Sequence, residues 1–245
     1  MTAYMDSVRE RFTNYLDKMF NEFGFGAVAE EGYNNAEDAL WQWDRQDDMA
    51  DHYGLWFDCG ATRIVIGDEY DDYIIKFQTD HSGVDYGSIE AWVYADAKEQ
   101  GFESKFALCE KLFDYVYFAE DGTKFIYPIY VYERVYCNYD TISDDSYGYH
   151  YNSFCEQEDI DPSLDESRER YYSEDGNYSG SAAMMEFAFN FWHEGLAFEE
   201  KFVKFLREHH VNDMHAGNWG YRDNDLVMTD YAGYGELDER SDLMV

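Results

Sequence analysis

VNDMHAGNWGYRDNDLVMTDYAGYG, residues 211–235, sets Asp213, His215, Asn218 and Asp230 around what reads as a small hairpin. WGYR and LVMTD have strand texture, and Asp223-Asn224-Asp225 between them suits a tight turn. A loop carboxylate such as Asp213 can orient a substrate hydroxyl and accept its proton. The amide oxygen of Asn218 and the carboxylate of Asp230 are hard oxygen donors, the kind that hold Mg²⁺ while it keeps waters and phosphate oxygens. A hairpin closing between them sets the two ligands side by side. In so acidic a chain the same residues also suit plain turn caps, so the remaining sequence has to choose.

Working outward, residues 198–209 present Phe198, Phe202, Phe205 and Leu206 on one helical stripe, with His209 and His210 at its C-terminal end, where a cation complements the helix dipole. AAMMEFAFNFW before it also has helical texture. Residues 137–181 hold twelve acidic residues against two arginines and read as an exposed acidic insertion, with an ordinary long loop or disordered linker as the alternative. Upstream, FALCEKLFDYVYFAEDGTKFIYPIYVYERV contains two strand-like runs joined at Asp121-Gly122, a strong hairpin signal. Tyrosines of 127–136 should alternate between the two faces of a half-buried strand. IEAWVYADAKEQG places Ile89, Trp92, Val93 and Ala97 on a helical face that ends at Gly101. LWFDCGATRIVIG reads as two short strands around Gly60, and DDYIIKF, residues 71–77, as a third. Residues 4–22 carry Val8, Phe12, Tyr15, Leu16, Met19 and Phe20 at helical spacing, and a second short helix is expected around Ala36–Trp43. Strand, strand, helix and hairpin in this order predict an α+β fold, a small antiparallel sheet with one helix against it.

The chain of 245 residues is long enough for a sizeable core, and 20% aromatic content predicts that most of it folds. Fifty-three acidic residues against 18 basic give a net charge of −35. That field opposes direct binding to nucleic-acid phosphates, which needs Lys and Arg to displace counterions. It favours attraction to basic partners. Cys59, Cys109, Cys137 and Cys155 are scattered without a CxxC pair, which predicts reduced thiols and a cytoplasmic setting. No apolar run of spanning length and no secretory leader are evident, so no membrane partner is expected.

A phosphate site needs a cation, and Lys76 at the end of IIKF occupies a buried-looking strand in a chain poor in lysine. A buried lysine needs an acidic partner; Glu90 on the next helix is the best placed, with Asp96 and Glu99 as alternatives. Lys76 on a strand, Glu90 on the following helix, a hairpin ending at Glu133–Val135, VNDMHAGN and TDYAG together resemble the protein-kinase-like fold. The resemblance is closest to aminoglycoside phosphotransferases and small kinase-like proteins of bacteria and their phages, and covers roughly residues 55–235.

The resemblance implies a bilobal architecture: an antiparallel-sheet N-lobe over 55–136, the acidic insertion over 137–181, and a truncated helical C-lobe over 182–245. A helical extension over 1–54 precedes them. It implies ATP and Mg²⁺ as cofactors. Asp213 matches the catalytic base, and His215 stands where small-molecule kinases also carry histidine. Asn218 and Asp230 match the metal ligands, with Tyr231 at the Phe of Asp-Phe-Gly, Ala232 inserted and Gly233 following. Lys76 would meet the phosphates and pair with Glu90, Gly60 would be what remains of the glycine-rich loop, and Glu133 to Val135 would form the hinge under the adenine. Val211 and Asn212 replace the usual histidine before the base, and little chain follows Asp230. Those departures argue against a peptide substrate and leave an active phosphotransferase and a pseudokinase both open. The alternative class is a non-enzymatic inhibitor, an acidic nucleic-acid mimic that engages a basic groove on a host defence or nucleic-acid-binding protein.

Overall fold

The computed structural model describes residues 2–33, 35–60, 62–68, 71–79, 84–135, 161, 201–202, 204–206, 208–211, 218–222 and 225–232. The acidic insertion, Asp161 apart, and the AAMMEFAFNFW segment lie outside them. The chain divides into two compact units, Met1–Tyr94 with Leu108–Arg134, and Ala95–Ala107 with Val135–Val245.

The first unit is built on a five-stranded antiparallel sheet. Its strands are β1 (Leu55–Cys59), β2 (Arg63–Asp68), β3 (Tyr73–Gln78), β4 (Cys109–Phe118) and β5 (Lys124–Glu133), in the order β1-β2-β3-β5-β4. The expected α+β class is therefore present, as is the expected hairpin. β4 and β5 are joined through Gly122, whose φ of 86° is left-handed and suits glycine. Between β3 and β4 the chain runs through helix α5 (Tyr86–Gln100), longer at both ends than the apolar stripe from Ile89 to Ala97.

Four helices precede the sheet: α1 (Thr2–Asp17), α2 (Phe25–Glu31), α3 (Ala36–Gln42) and α4 (Gln46–Tyr53). Along α1, Val8, Phe12 and Leu16 recur every fourth residue and are all buried, the spacing that keeps side chains on one helix face. A π-helical turn over Lys18–Glu22 then carries Met19 and Phe20 inward. Asn35 starts α3 by accepting a hydrogen bond from the Asp38 N–H at 2.7 Å. Gly54 ends α4 in a left-handed conformation.

This helical layer and the sheet share one core. Phe12, Leu16, Phe20, Phe25, Leu40, Trp43 and Met49 pack with Ile64, Ile66, Ile75, Phe77, Ile129 and Val131. Each such side chain contributes about 1.5–3 kcal/mol by leaving water. Short helices of this kind are held by that burial more than by intrinsic propensity.

Strand alternation sends the intervening residues the other way. Tyr127 faces the helical layer, while Tyr130 and Tyr132 bond to Asp85 and to Glu90 of α5. The tyrosines of β5 thus divide between the two faces as their spacing predicts.

In the second unit, β6 (Trp219–Arg222) and β7 (Asp225–Met228) form the expected hairpin. Phe102, Phe106, Phe202, Phe205 and Tyr231 make its aromatic core. Ala107 N donates to Met228 O at 2.7 Å, which fixes β7 beside the 106–107 segment. Among the described residues no helix is long and apolar enough to cross a membrane.

Candidate functional site

On the α5 side of the sheet, four strands and the helix converge on one polar cluster. Glu90 is fully buried and Arg63 nearly so. The Arg63 guanidinium grips the Glu90 carboxylate with two nitrogens, Nη2 donating to Oε1 at 3.2 Å and Nη1 to Oε2. Arg63 Nη1 also donates to the Tyr132 hydroxyl at 3.0 Å, and that hydroxyl donates to Glu90 Oε2. A planar fork meeting a carboxylate in this way is geometrically specific and strong.

Lys76 Nζ sits 4.5 Å from the centre of the Tyr132 ring, a cation over an aromatic face. Tyr132 thus touches both residues that sequence spacing joins, Lys76 and Glu90. Arg63 is the member that spacing does not reveal. Its signal lies in register: Val65 pairs with Lys76 and Arg63 with Gln78, so Arg63, Val65 and Lys76 share a face once β2 and β3 are paired.

The cluster's other titratable groups are locked in their neutral forms. Burial, reinforced by the Glu90 charge, pushes the Cys109 thiol well up, so it is no nucleophile at neutral pH. Burial does the same to the Tyr132 phenol. Asp96, an alternative partner for Lys76 by sequence, lies 2.6 Å from His209 Nε2 through Oδ2. His209 Nδ1 lies 2.8 Å from the Phe205 carbonyl and its ring stacks on Phe205. That geometry agrees with a C-terminal cap, with His210 next in a left-handed conformation at φ 53°.

Gly60 ends β1 and donates its N–H to Arg63 O at 3.0 Å, closing the β1–β2 turn. A Cβ at this position would meet nothing within 4 Å, so neither crowding nor a left-handed φ demands glycine here. Glu133 is tied back to Leu108, whose N–H donates to Glu133 Oε2 at 3.3 Å and whose carbonyl accepts from Glu133 N at 3.2 Å. Val135 follows it outside the sheet.

The β6–β7 hairpin sets the backbone of Asn218 opposite Thr229, the residue before Asp230. Thr229 N donates to Asn218 O at 2.9 Å, just beyond the Trp219–Met228 pair. Asp230 is the next residue, and Asn218 is buried. Tyr231, at the aromatic position after Asp230, is wholly buried against Phe106 and donates its hydroxyl to Ala107 O at 2.9 Å. That anchor holds the backbone at Asp230. Asp213 and His215 lie outside the described residues. Among the described residues no cluster of three or more His, Cys, Asp or Glu side chains is arranged to hold a metal.

The tyrosines supply a pH dependence. Burial raises Tyr15, Tyr73, Tyr115, Tyr130 and Tyr132 above the ordinary value of 10.0, and pushes Tyr117 and Tyr127 up to about 12. The native chain therefore keeps phenolic protons that the unfolded chain releases near pH 10. Fewer protons bound in the unfolded state means stability falls as pH rises. Urea unfolding is expected to show full stability below pH 10 and progressive loss above it. A flat profile through pH 11 would contradict this packing.

No protein-family model matches this chain, and no curated protein matches it in sequence.

Proposed function

We propose that this chain is a kinase-like protein that binds Mg²⁺-ATP, with phosphoryl transfer to a small acceptor as its activity. The observation that carries the reading is the β6–β7 hairpin, which aligns Asn218 with the strand end at Asp230. In this reading Asn218 and Asp230 hold the metal through oxygen, and Lys76 on β3 supplies the ammonium group for the phosphates. Glu90 and Tyr132 position that part of the sheet. Asp213 accepts the proton of the acceptor hydroxyl, with His215 beside it in sequence. The bound metal would neutralise charge on the phosphates, which is most of what phosphoryl transfer asks of a site. Mg²⁺-ATP is expected to raise the melting temperature of the wild type and not that of Asp230→Ala. An equal rise in both would remove the basis for this reading.

A second reading is favoured by a separate observation. Residues 1–54 carry twelve carboxylates, all exposed, against four Arg and Lys. Among them Trp41 is 80% exposed, with Glu37 and Asp38 one turn before it on α3 and Asp44 three residues on. A large exposed aromatic with carboxylates one turn before it and three residues after it suits an anchor for a Lys- and Arg-rich surface, such as the nucleic-acid groove of a host protein. Binding to an Arg-rich peptide is expected to weaken about tenfold or more between about 0.05 and 0.5 M salt. It should weaken again in Trp41→Ala and survive Asp230→Ala. Salt-insensitive binding that ignores Trp41 would discard the reading.

A further inference from the structure

The first unit contains a hollow of about 400 Å³ that none of Lys76, Glu90 and Gly60 lines. Tyr33 of the α2–α3 connection and Ala29 and Ala39 of the helices form one side. Phe125, Ile126, Tyr127 and Pro128 at the start of β5 form another, and Gln78, Thr79, Val84 and Asp85 close the end. Its size is at the small end of ligand sites, about 300–1,000 Å³, and its lining is mixed, with aromatic and alkyl side chains on two sides and Gln78, Thr79 and Asp85 at one end.

We infer that this hollow binds a flat aromatic cation, its ring against Tyr33, Phe125 and Tyr127 and its charged end at Asp85. Three features point to that chemistry. Aromatic faces attract cations as well as apolar rings. Among the described residues of the lining Asp85 is the one charged side chain, and none is Lys, Arg or His. Its carboxylate already accepts from Tyr130 OH at 2.6 Å and from Ser88 N at 3.0 Å. Those bonds fix its orientation and use about two of its roughly four acceptor sites, leaving capacity for a ligand N–H.

The rim agrees. Ile126 is 53% exposed, Val116 faces it across the β4–β5 ladder, and Phe118 is exposed on the same strand as Val116. An apolar rim outside an aromatic hollow with one carboxylate suits a ligand that is apolar except at a cationic tip. Thr79 adds a second anchor. Its Oγ1 is buried and has no hydrogen-bond partner among the described residues, so a polar ligand atom that reached it would meet an unused hydroxyl.

The test uses benzamidine and its neutral isostere benzamide, titrated into the full chain by calorimetry. Benzamidine is expected to bind at a single site, with benzamide at least about tenfold weaker. Asp85→Asn keeps a good helix-capping residue at the start of α5 and removes one of 53 acidic charges. It is therefore expected to abolish the preference for benzamidine while leaving any diffuse attraction to the acidic surface nearly unchanged. Thr79→Val should weaken both probes, and Ala29→Leu should exclude both by filling the hollow. Equal affinity for the two probes, or a benzamidine preference that survives Asp85→Asn, would overturn the assignment.

Discussion

Glu90→Ala is expected to destabilise the protein by about 3–5 kcal/mol, read as a drop in the urea unfolding midpoint. The mutation strands Arg63 as a buried cation without its counter-charge and takes the acceptor from the Tyr132 hydroxyl. Glu90→Gln keeps an oxygen for both donors and should cost less. Replacing both partners together, as Arg63→Met with Glu90→Leu, should recover most of the loss, because an apolar pair of similar volume avoids the desolvation penalty of the ions. Lys76→Met separates the two cations. Lys76 is partly exposed and lies over the Tyr132 ring, so its loss should cost less than that of the buried Arg63. If Lys76→Met proves as damaging as Arg63→Met, the core of the sheet is organised around the lysine.

The second large effect is on nucleotide binding. Asp230→Ala removes a carboxylate that is only partly buried, beside a Tyr231 anchored independently through Ala107. The fold should survive. Affinity for ATP in the presence of Mg²⁺ should fall by about a hundredfold, the scale of a lost charged interaction of about 3 kcal/mol. Lys76→Met should weaken the same binding about 10–100-fold through loss of the ammonium group. The contrast is diagnostic. Lys76 is expected to matter little for stability and much for nucleotide, whereas the main effect of losing Glu90 is expected on stability.

Local patterns announced most of the scaffold. The four-residue spacing of Val8, Phe12 and Leu16, the Asp121-Gly122 turn and the alternating tyrosines of β5 are one-dimensional signals, and each yielded its element in place. What escaped notice depends on pairing between distant segments. Arg63 carried no signal of its own until β2–β3 register put it on the Lys76 face. Asp96 looked like a lysine partner because its engagement with His209 spans more than a hundred residues. Of the helices of residues 2–53, α1 and α3 were visible as helices while the short α2 and α4 were not, and no pattern told which face of the sheet they cover. The β6–β7 hairpin was readable because its turn residues and its strands are adjacent in the chain. The hollow beside Thr79 and Asp85 was not, since its walls come from four separate stretches.

The central claim is that Asn218, Asp230 and Lys76 serve a metal-bound nucleotide. Calorimetric titration of ATP into the full chain, with Mg²⁺ and then with EDTA, tests it most directly. The account requires saturable one-to-one binding that depends on Mg²⁺ and vanishes in Asp230→Ala. Absence of saturable binding at millimolar nucleotide, or binding unaltered by EDTA and by the substitution, would contradict it.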